Sequence, residues 1–267
     1  MNRGFIAALL SGFLGTGLAY GSGQETIVSV DFDSLATGGI DASTSPTHAE
    51  VDAATTGGSW ATNSSVASHE IQADGGGEGD LALVSYDGAS TWGAQLDFDN
   101  AVDIDEDLAN GYLQINFESG THHSTGFERD HHWQFYDGGT LVFELEMDDG
   151  RVYLDSPSMT RTNMGQLSGG ADPFHVRPWD STSEHVLGFN IVLEADGGIT
   201  ATVTDNDGAT TVTEVSATGA LNSTANLDSI RSYWRNGGSS GKESGVYFND
   251  LTVIRYFSRV GTVFTFR

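Results

Sequence analysis

Apolar and polar residues alternate most clearly between positions 112 and 155 of the chain. Phe143, Leu145 and Met147 alternate with polar neighbours, which is the period of two expected of a half-buried strand. Asp-Gly pairs follow at 137–138 and 149–150, and these residues accept the positive φ of tight hairpins. The pattern predicts an antiparallel meander in which residues 142–147 pair with residues 151–155.

Similar alternation recurs on both sides of this meander. Strands are predicted over residues 24–34, 81–86, 94–98, 185–195, 199–205, 209–215, 227–234 and 245–255. Residues 35–58 and 156–183 lack a period and are predicted to be loops, and no stretch has a helical stripe. The fold class is therefore predicted to be all-β, an antiparallel β-sandwich of jelly-roll type, as one domain over residues 24–255. Residues 256–267 would add an edge strand or serve as a surface-attachment tail.

The N-terminus has the composition of a secretory signal. Asn2 and Arg3 form a short positive start, residues 4–18 are mostly apolar, and residues 19–23 are mostly small. This order predicts a signal peptide over residues 1–23 and a secreted or cell-surface protein, with no membrane insertion after cleavage. The chain has no cysteine, so disulfides cannot stabilise it and packing or a bound metal must do so.

The charge of the chain is strongly negative, with 37 acidic and 11 basic residues and a formal net charge of −26. Such a surface repels polyanions, so nucleic acid is not expected as a partner. Lys242 is the single lysine, and an acidic surface almost without lysine is typical of proteins from salty water, where ions screen the repulsion.

Three segments carry a resemblance to a known superfamily. They are the opening around Phe32 and Asp33, the run WQFYDGGTLVFELEMDDGRVYL over residues 133–154, and the closing GVYFNDLTVI over residues 245–254. Together with the order of strands they resemble the concanavalin A-like lectins and glucanases, particularly laminin-G-like jelly rolls of secreted bacterial proteins. The resemblance implies two stacked antiparallel sheets, a concave surface that faces a sugar, and frequently a structural calcium ion.

The densest group of reactive side chains is predicted to lie on one of the loops of the meander. It contains His122, His123, Glu128, Arg129, Asp130, His131, His132 and Trp133. These residues could bind a metal, could form hydrogen bonds within a polar loop, or could act as in jelly-roll polysaccharide lyases. In the lyase hypothesis His131 or His132 removes the C5 proton of a uronate, and Arg129 neutralises its carboxylate. Tyr153 or Tyr136 then donates a proton to the leaving oxygen.

Adjacent histidines on a strand point to opposite faces, so only one of each pair can share a site. Glu144, Glu146 and Asp148 form a second candidate, because three carboxylates at every second position share one strand face. Retaining glucanases of the superfamily carry such a line, but in the order Glu, Asp, Glu. A solvated strand face also explains the line in so acidic a protein.

Aromatic residues in predicted loops form a third candidate, because flat rings stack on sugar rings while arginine and asparagine bind hydroxyls. The predicted carbohydrate-binding residues are Trp92, Trp133, Trp179, Tyr233, Trp234, Arg235 and Asn236. Packing in the core is the alternative for each tryptophan. Asp103, Asp105 and Asp107 form an oxygen-rich loop that could bind calcium, which would brace the fold.

These observations favour a secreted lectin-like protein whose partner is an extracellular polysaccharide or glycan. A lyase acting on a uronate-containing polysaccharide is the alternative, followed by a glycoside hydrolase. A structural or adhesive surface protein is a third class. The identity of the sugar and the oligomeric state do not follow from the sequence.

Overall fold

The computed structural model describes residues 20–61, 67–73, 81–87, 92–108, 111–123, 131–148, 151–167, 185–207, 210–222, 224–234 and 244–260. Within these ranges the chain forms seventeen strands and one short helix. In chain order they are β1 (Tyr20–Val30), β2 (Gly38–Gly39), α1 (His48–Ala53), β3 (Thr55–Thr56), β4 (Gly58–Trp60), β5 (Ala67–Ala73), β6 (Leu81–Asp87), β7 (Trp92–Asp103), β8 (Gly111–His123), β9 (His131–Asp137), β10 (Thr140–Asp148), β11 (Arg151–Ser156), β12 (Met159–Gln166), β13 (His185–Glu194), β14 (Gly198–Asp207), β15 (Thr210–Ala220), β16 (Asn226–Trp234) and β17 (Ser244–Val260).

The strands form two antiparallel sheets. One sheet has ten strands in the order β15-β14-β13-β8-β17-β6-β5-β2, with β1 paired to β17 and β3 paired to β1. The other has seven strands in the order β12-β11-β10-β9-β16-β7-β4. The prediction of an all-β antiparallel sandwich of jelly-roll type is confirmed.

The core lies between the two sheets and follows from the alternation of each strand. On β9, Trp133 and Phe135 are almost fully buried. On β8 of the other sheet, Phe117 stacks on Phe189 with ring centroids 4.4 Å apart, and Phe189 also contacts Trp133 at 4.5 Å. Aromatic pairs at these distances pack the centre of the sandwich. The opposite face of the seven-stranded sheet therefore carries the polar residues of the same strands.

The described hairpin turns have the expected chemistry, while the predicted Asp-Gly turn at 149–150 lies outside the described residues. Gly138 and Gly139 have φ of +54° and +86° between β9 and β10, and Gly197 has φ of +82° between β13 and β14. The pairing of β10 with β11 runs from Glu144 opposite Asp155 to Asp148 opposite Arg151. The meander predicted from the alternation is therefore present.

Two predicted loops contain regular structure instead. Helix α1 lies in the segment predicted to be loop, and Thr47 and Glu50 form a capping box at its start. This motif was present in the sequence, but a six-residue helix is too short to show a period. Strand β12 lies in the other predicted loop, where it pairs with β11 through two irregularities that disguise its alternation.

Strands extend past both ends of the predicted domain, whose boundaries stay a prediction. Strand β1 begins at Tyr20, inside the range predicted as signal peptide, and Tyr20 pairs with Val260. Residues 256–260 continue β17, and Tyr256 lies between Tyr112 of β8 and Gln24 of β1. Tyr256 and Phe257 therefore lie inside the sheet, and residues 258–260 pair with β1. Residues 1–19 and 261–267 lie outside the described ranges, so secretion stays a prediction.

Among the residues that the structure describes, no helix is both long enough and apolar enough to cross a membrane.

Candidate functional site

The face of the seven-stranded sheet that points away from the core, hereafter the outer face, carries aligned rows of polar residues. Strand β9 places His132, Gln134 and Tyr136 on this face, because Trp133 and Phe135 between them enter the core. One row runs across the strands from Gln95 of β7 through Arg231, Gln134 and Glu144 to Asp155 of β11. Cross-strand neighbours of this kind have side chains close enough to interact.

Hydrogen bonds connect these rows into one network. Nδ1 of His132 lies 3.0 Å from Oε2 of Glu144, and Nε2 of Gln134 donates to the same oxygen at 2.8 Å. The Oε1 of Gln134 accepts from the Tyr136 hydroxyl at 2.7 Å and from Nη2 of Arg231 at 2.8 Å. Arg231 also contacts the Tyr136 hydroxyl. The network spans β16, β9 and β10, so the sheet itself holds the geometry of the group.

A second contact group lies beside the first. Nη2 of Arg161, on β12, lies 2.8 Å from Oε1 of Glu146, and its guanidinium lies 3.6 Å from the centre of the Tyr153 ring. Glu146 pairs in register with His132 on one side and with Tyr153 on the other. The two guanidinium groups, Arg231 and Arg161, therefore flank the row of His132 and the carboxylates.

Two adjoining cavities open on this face. The first has a volume of about 540 Å³, and its lining includes His132, Gln134, Glu144, Glu146, Asp155, Arg161 and Arg231. The second has a volume of about 510 Å³, and its lining includes Gln95, Asp97, Tyr136, Asp228 and Arg231. Arg231 lines both, so together they form one cleft across the sheet. Each cavity is within the volume range of small-molecule and sugar sites.

The charge state of Glu144 follows from its contacts. Burial raises the pKa of Glu144, but hydrogen bonds from His132 and Gln134 and the nearby charge of Arg161 outweigh it, so the pKa lies below its usual value. The carboxyl is therefore ionised at neutral pH, and Nδ1 of His132 carries the proton of their hydrogen bond. A carboxylate bonded to Nδ1 orients an imidazole and stabilises its protonated form.

The same contacts count against a glycosidase pair. Oxygen atoms of Glu144 and Glu146 lie within 4.8 Å of each other, close to the separation that a retaining enzyme needs. One member of such a pair must be protonated at the start of the reaction. Glu144 has a lowered pKa and Glu146 forms an ion pair with Arg161, so both contacts favour the ionised carboxylate.

Several predicted site residues have other positions. Trp133 is not placed to stack on a sugar, because its side chain is 1% exposed and its Nε1 donates to Ser119 Oγ at 2.8 Å in the core. His131 alternates with His132 and pairs with the buried Met147, so it lies on the core side and cannot serve as the base in the cleft.

The predicted calcium loop is held together by protein contacts. Asp107 accepts from the Asp103 amide at 2.9 Å and from Arg255 at 2.5 Å, while Asp103 accepts from the Glu106 amide at 2.8 Å. Asp105 is exposed beside them. Turn hydrogen bonds and an arginine therefore engage two of the three carboxylates, and calcium binding stays a prediction.

The remaining predicted residues lie partly outside the described ranges. Trp92 belongs to β7, and Tyr233 and Trp234 belong to β16, where Tyr233 pairs in register with Trp92 and His132. Arg129, Trp179, Arg235 and Asn236 lie outside the residues that the structure describes. Tyr136 and Tyr153 both lie on the outer face.

Gln134, Arg231 and Arg161 are site residues that the sequence analysis did not select. The histidine group was predicted to lie on a loop, but the alternation of Trp133 and Phe135 with Gln134 is a signal that could have placed Gln134 on one strand face with His132. Arg231 lies 97 residues further along the chain than Gln134, and Arg161 lies in a segment predicted to be loop. Their proximity depends on strand order, which a single sequence does not reveal.

No protein-family description and no curated protein sequence matches this chain. Among solved structures, the chain is similar to an alginate lyase from Corynebacterium sp., with 14% identity and a TM-score of 0.43 over 70% of this chain and 80% of that one. A carbohydrate esterase of the Shiga toxin-encoding bacteriophage phi24B has 13% identity and a TM-score of 0.47 over 87% and 99%. The Lotus tetragonolobus seed lectin has 10% identity and a TM-score of 0.38 over 73% and 92%.

Proposed function

We propose that the cleft on the seven-stranded sheet is the active site of a polysaccharide lyase that acts on a uronate-containing polymer outside the cell. The observation that carries the proposal is the position of Arg231. It lines both cavities, one shared with His132 and the other with Tyr136. A uronate bound at this junction would have its carboxylate at a guanidinium, an imidazole on one side and a phenol on the other.

The guanidinium supplies the first requirement of the reaction. Removal of the C5 proton leaves negative charge that spreads into the adjacent carboxylate, and a fixed cation stabilises it. The hydrogen bonds of Arg231 to Gln134 and Tyr136 hold its guanidinium in place between the two cavities. Arg231 therefore takes the role that the sequence analysis assigned to Arg129.

His132 is the general base of this proposal. Its imidazole accepts the C5 proton, and the ionised Glu144 on Nδ1 stabilises the imidazolium that results. The electrons of the broken C5–H bond form the C4=C5 double bond, and the C4–O bond breaks. The C5 proton is then on His132, and the electron pair of the C5–H bond is in the new double bond.

Tyr136 is the general acid. Its hydroxyl donates to Gln134, the residue next to His132 on the outer face, so the hydroxyl reaches back along the strand toward the imidazole. His132 and Tyr136 are two positions apart on this face, about 13 Å between their Cα atoms, and a sugar ring would bind between the two side chains. The hydroxyl gives its proton to the departing C4 oxygen, and proton exchange with solvent restores both side chains.

The test is incubation of the purified protein with a panel of polyuronates and a neutral glucan. Ultraviolet absorbance detects the unsaturated uronate product, and affinity electrophoresis measures binding. We expect new absorbance on at least one polyuronate and none on the glucan. His132→Gln and Tyr136→Phe should each lower kcat roughly 100-fold or more, because each removes one proton-transfer group.

Tyr112→Phe is the matched control, because Tyr112 is 37% exposed and lies on β8 of the other sheet. It should leave the elimination rate unchanged. Binding of a glycan without any unsaturated product would overturn the lyase proposal in favour of the lectin-like alternative. Equal activity of His132→Gln and the unmodified protein would also overturn it.

A further inference from the structure

In the described ranges, three ligand-type side chains converge in the first cavity. A nitrogen of His132 and one oxygen each of Glu144 and Glu146 all lie within 4.8 Å of one another. His132 and Glu146 are directly opposite each other on β9 and β10, and Glu144 is the next outer-face residue along β10. The two strands therefore fix the relative positions of the three groups.

Burial distinguishes this group from the many surface carboxylates of the chain. His132 is 7% exposed and Glu146 is 8% exposed, and the side chain of Glu144 is 14% exposed. Two carboxylates removed from water at this separation repel each other unless cations compensate them. The first cavity has three carboxylates, those of Glu144, Glu146 and Asp155, against the guanidinium groups of Arg161 and Arg231.

We propose that His132, Glu144 and Glu146 bind a divalent transition-metal ion such as Zn²⁺. One imidazole and two carboxylates are a ligand set that suits Zn²⁺, whereas Ca²⁺ takes oxygen ligands. The three side chains line a cavity of about 540 Å³. This group is distinct from the aspartate loop over residues 103–107, where the sequence predicted calcium.

Metal binding has to compete with contacts that the three side chains already make, and two of them are direct competitors. The first is the ion pair between Glu146 and Arg161, whose side chain is 39% exposed and can rotate into solvent. The second is the hydrogen bond between His132 and Glu144, which a metal replaces with a bond to each partner. Arg161 is thus a built-in competitor of the metal, and its removal should strengthen metal binding.

A second consequence rests on the proposed function. If His132 is the base of the lyase, a metal bound to its imidazole removes the base, so Zn²⁺ should inhibit elimination. Metal binding itself does not depend on that activity. The binding measurement and the elimination assay can therefore fail separately.

The experiment is titration calorimetry of the purified, metal-stripped protein with Zn²⁺, and with Ca²⁺ as a comparison. We expect one saturable Zn²⁺ site, weakened about tenfold or more by Glu146→Gln, because loss of a ligand costs at least as much as loss of an outer partner. Glu144→Gln is a second variant with the same expectation. Arg161→Gln should bind Zn²⁺ more tightly than the unmodified protein.

Asp148→Asn is the matched control, because Asp148 is the next outer-face carboxylate on β10 and its loss removes the same charge. Its Zn²⁺ affinity should stay within about twofold of the original. An equal loss in Asp148→Asn and Glu146→Gln would overturn the proposal, because it would indicate general attraction to an acidic surface. Absence of a saturable Zn²⁺ site in a protein that melts normally would overturn it too.

The elimination assay with chelator and with Zn²⁺ separates the two proposals. Zn²⁺ binding without elimination on any polyuronate contradicts the lyase and supports the metal site. If the protein eliminates a polyuronate, calorimetry detects no saturable Zn²⁺ site and Zn²⁺ does not slow the reaction, the result contradicts the metal site and supports the lyase.

Discussion

His69, on β5, shows how burial alone changes the charge of a residue in this protein. The side chain is 4% exposed, and burial lowers its pKa from 6.5 to about 4, with a smaller contribution from the nearby His48. The folded protein therefore keeps this imidazole neutral at a pH where the unfolded chain protonates it.

The free energy of unfolding should fall as the pH is lowered from about 7 to about 5. In this window the unfolded state binds a proton at His69 that the folded state does not bind, so stability rises with pH. The expected contribution is about 2 kcal/mol. Urea unfolding of the original protein and of His69→Gln at both pH values measures it. Glu144 affects stability at a lower pH. Its pKa is lowered in the folded protein, so the stabilisation that it contributes is lost only as the pH falls below the usual pKa of a glutamate.

An unchanged pH slope in His69→Gln would contradict this assignment. His48→Gln is the control. Because His48 contributes less than burial does to the lowered pKa of His69, this variant should keep most of the pH dependence of the unfolding free energy.

Trp133 illustrates a residue whose role depends on the side of the strand it occupies. Its position in the sequence predicts a sugar-stacking role, but the ring lies between the sheets and its Nε1 donates to Ser119. A buried indole contributes through packing and this hydrogen bond.

Trp133→Phe should therefore lower stability by about 1–3 kcal/mol and leave glycan affinity unchanged in the folded protein. Denaturant unfolding and affinity electrophoresis provide the two measurements. Ser119→Ala and the double variant complete a cycle that isolates the hydrogen bond. Loss of glycan affinity without loss of stability would restore the stacking role.

At the scale of elements, close approach between backbones limits the sequence at Gly57, between β3 and β4. Gly57 has φ of +79°, and a Cβ atom there would lie 1.8 Å from the carbonyl oxygen of Ile27 in β1. Gly138 in the β9–β10 turn also has positive φ, +54°, but a Cβ there would meet no atom within 4 Å. Both glycines therefore need positive φ, but only Gly57 also lacks room for a side chain.

Gly57→Ala should destabilise the protein by about 3 kcal/mol or more, because a β1 backbone shift is added to the cost of positive φ. Gly138→Ala should cost only about 1 kcal/mol. Guanidinium unfolding of both variants gives the difference. Equal costs would mean that β1 moves away without penalty.

At the scale of the whole molecule, the net charge of −26 is the dominant long-range term. Like charges repel most strongly in the compact state, and salt screens them over about 8–10 Å at moderate ionic strength. The 11 basic residues cannot balance 37 acidic ones, so surface ion pairs relieve only part of the repulsion.

The melting temperature should therefore rise with sodium chloride concentration at neutral pH. Near the sequence pI of about 4.2 the net charge vanishes and the same salt series should have a much smaller effect. Calorimetric melts in the two buffers test this. A salt effect of equal size at both pH values would indicate a cause other than charge repulsion, such as stronger apolar burial.

The sequence alone determined the class of fold and much of one sheet. Alternation over residues 112–155 and the Asp-Gly turns predicted β10, β11 and their pairing, because the period of two and turn chemistry are local properties. The histidine group was predicted as a loop, so the common face of His132 and Tyr136 on β9 was not predicted. The two strand irregularities of β12 and the shortness of α1 left no local period, so neither element was predicted.

The tertiary structure decided which residues meet. Arg231 reaches Gln134 only because β16 inserts between β7 and β9, and Arg161 reaches Glu146 only across β11. Strand order depends on how the two apolar faces pack against each other along the whole chain, and one sequence does not encode it as a local pattern. Composition and periodicity thus identified a sandwich, and the packing of the sheets assembled the cleft.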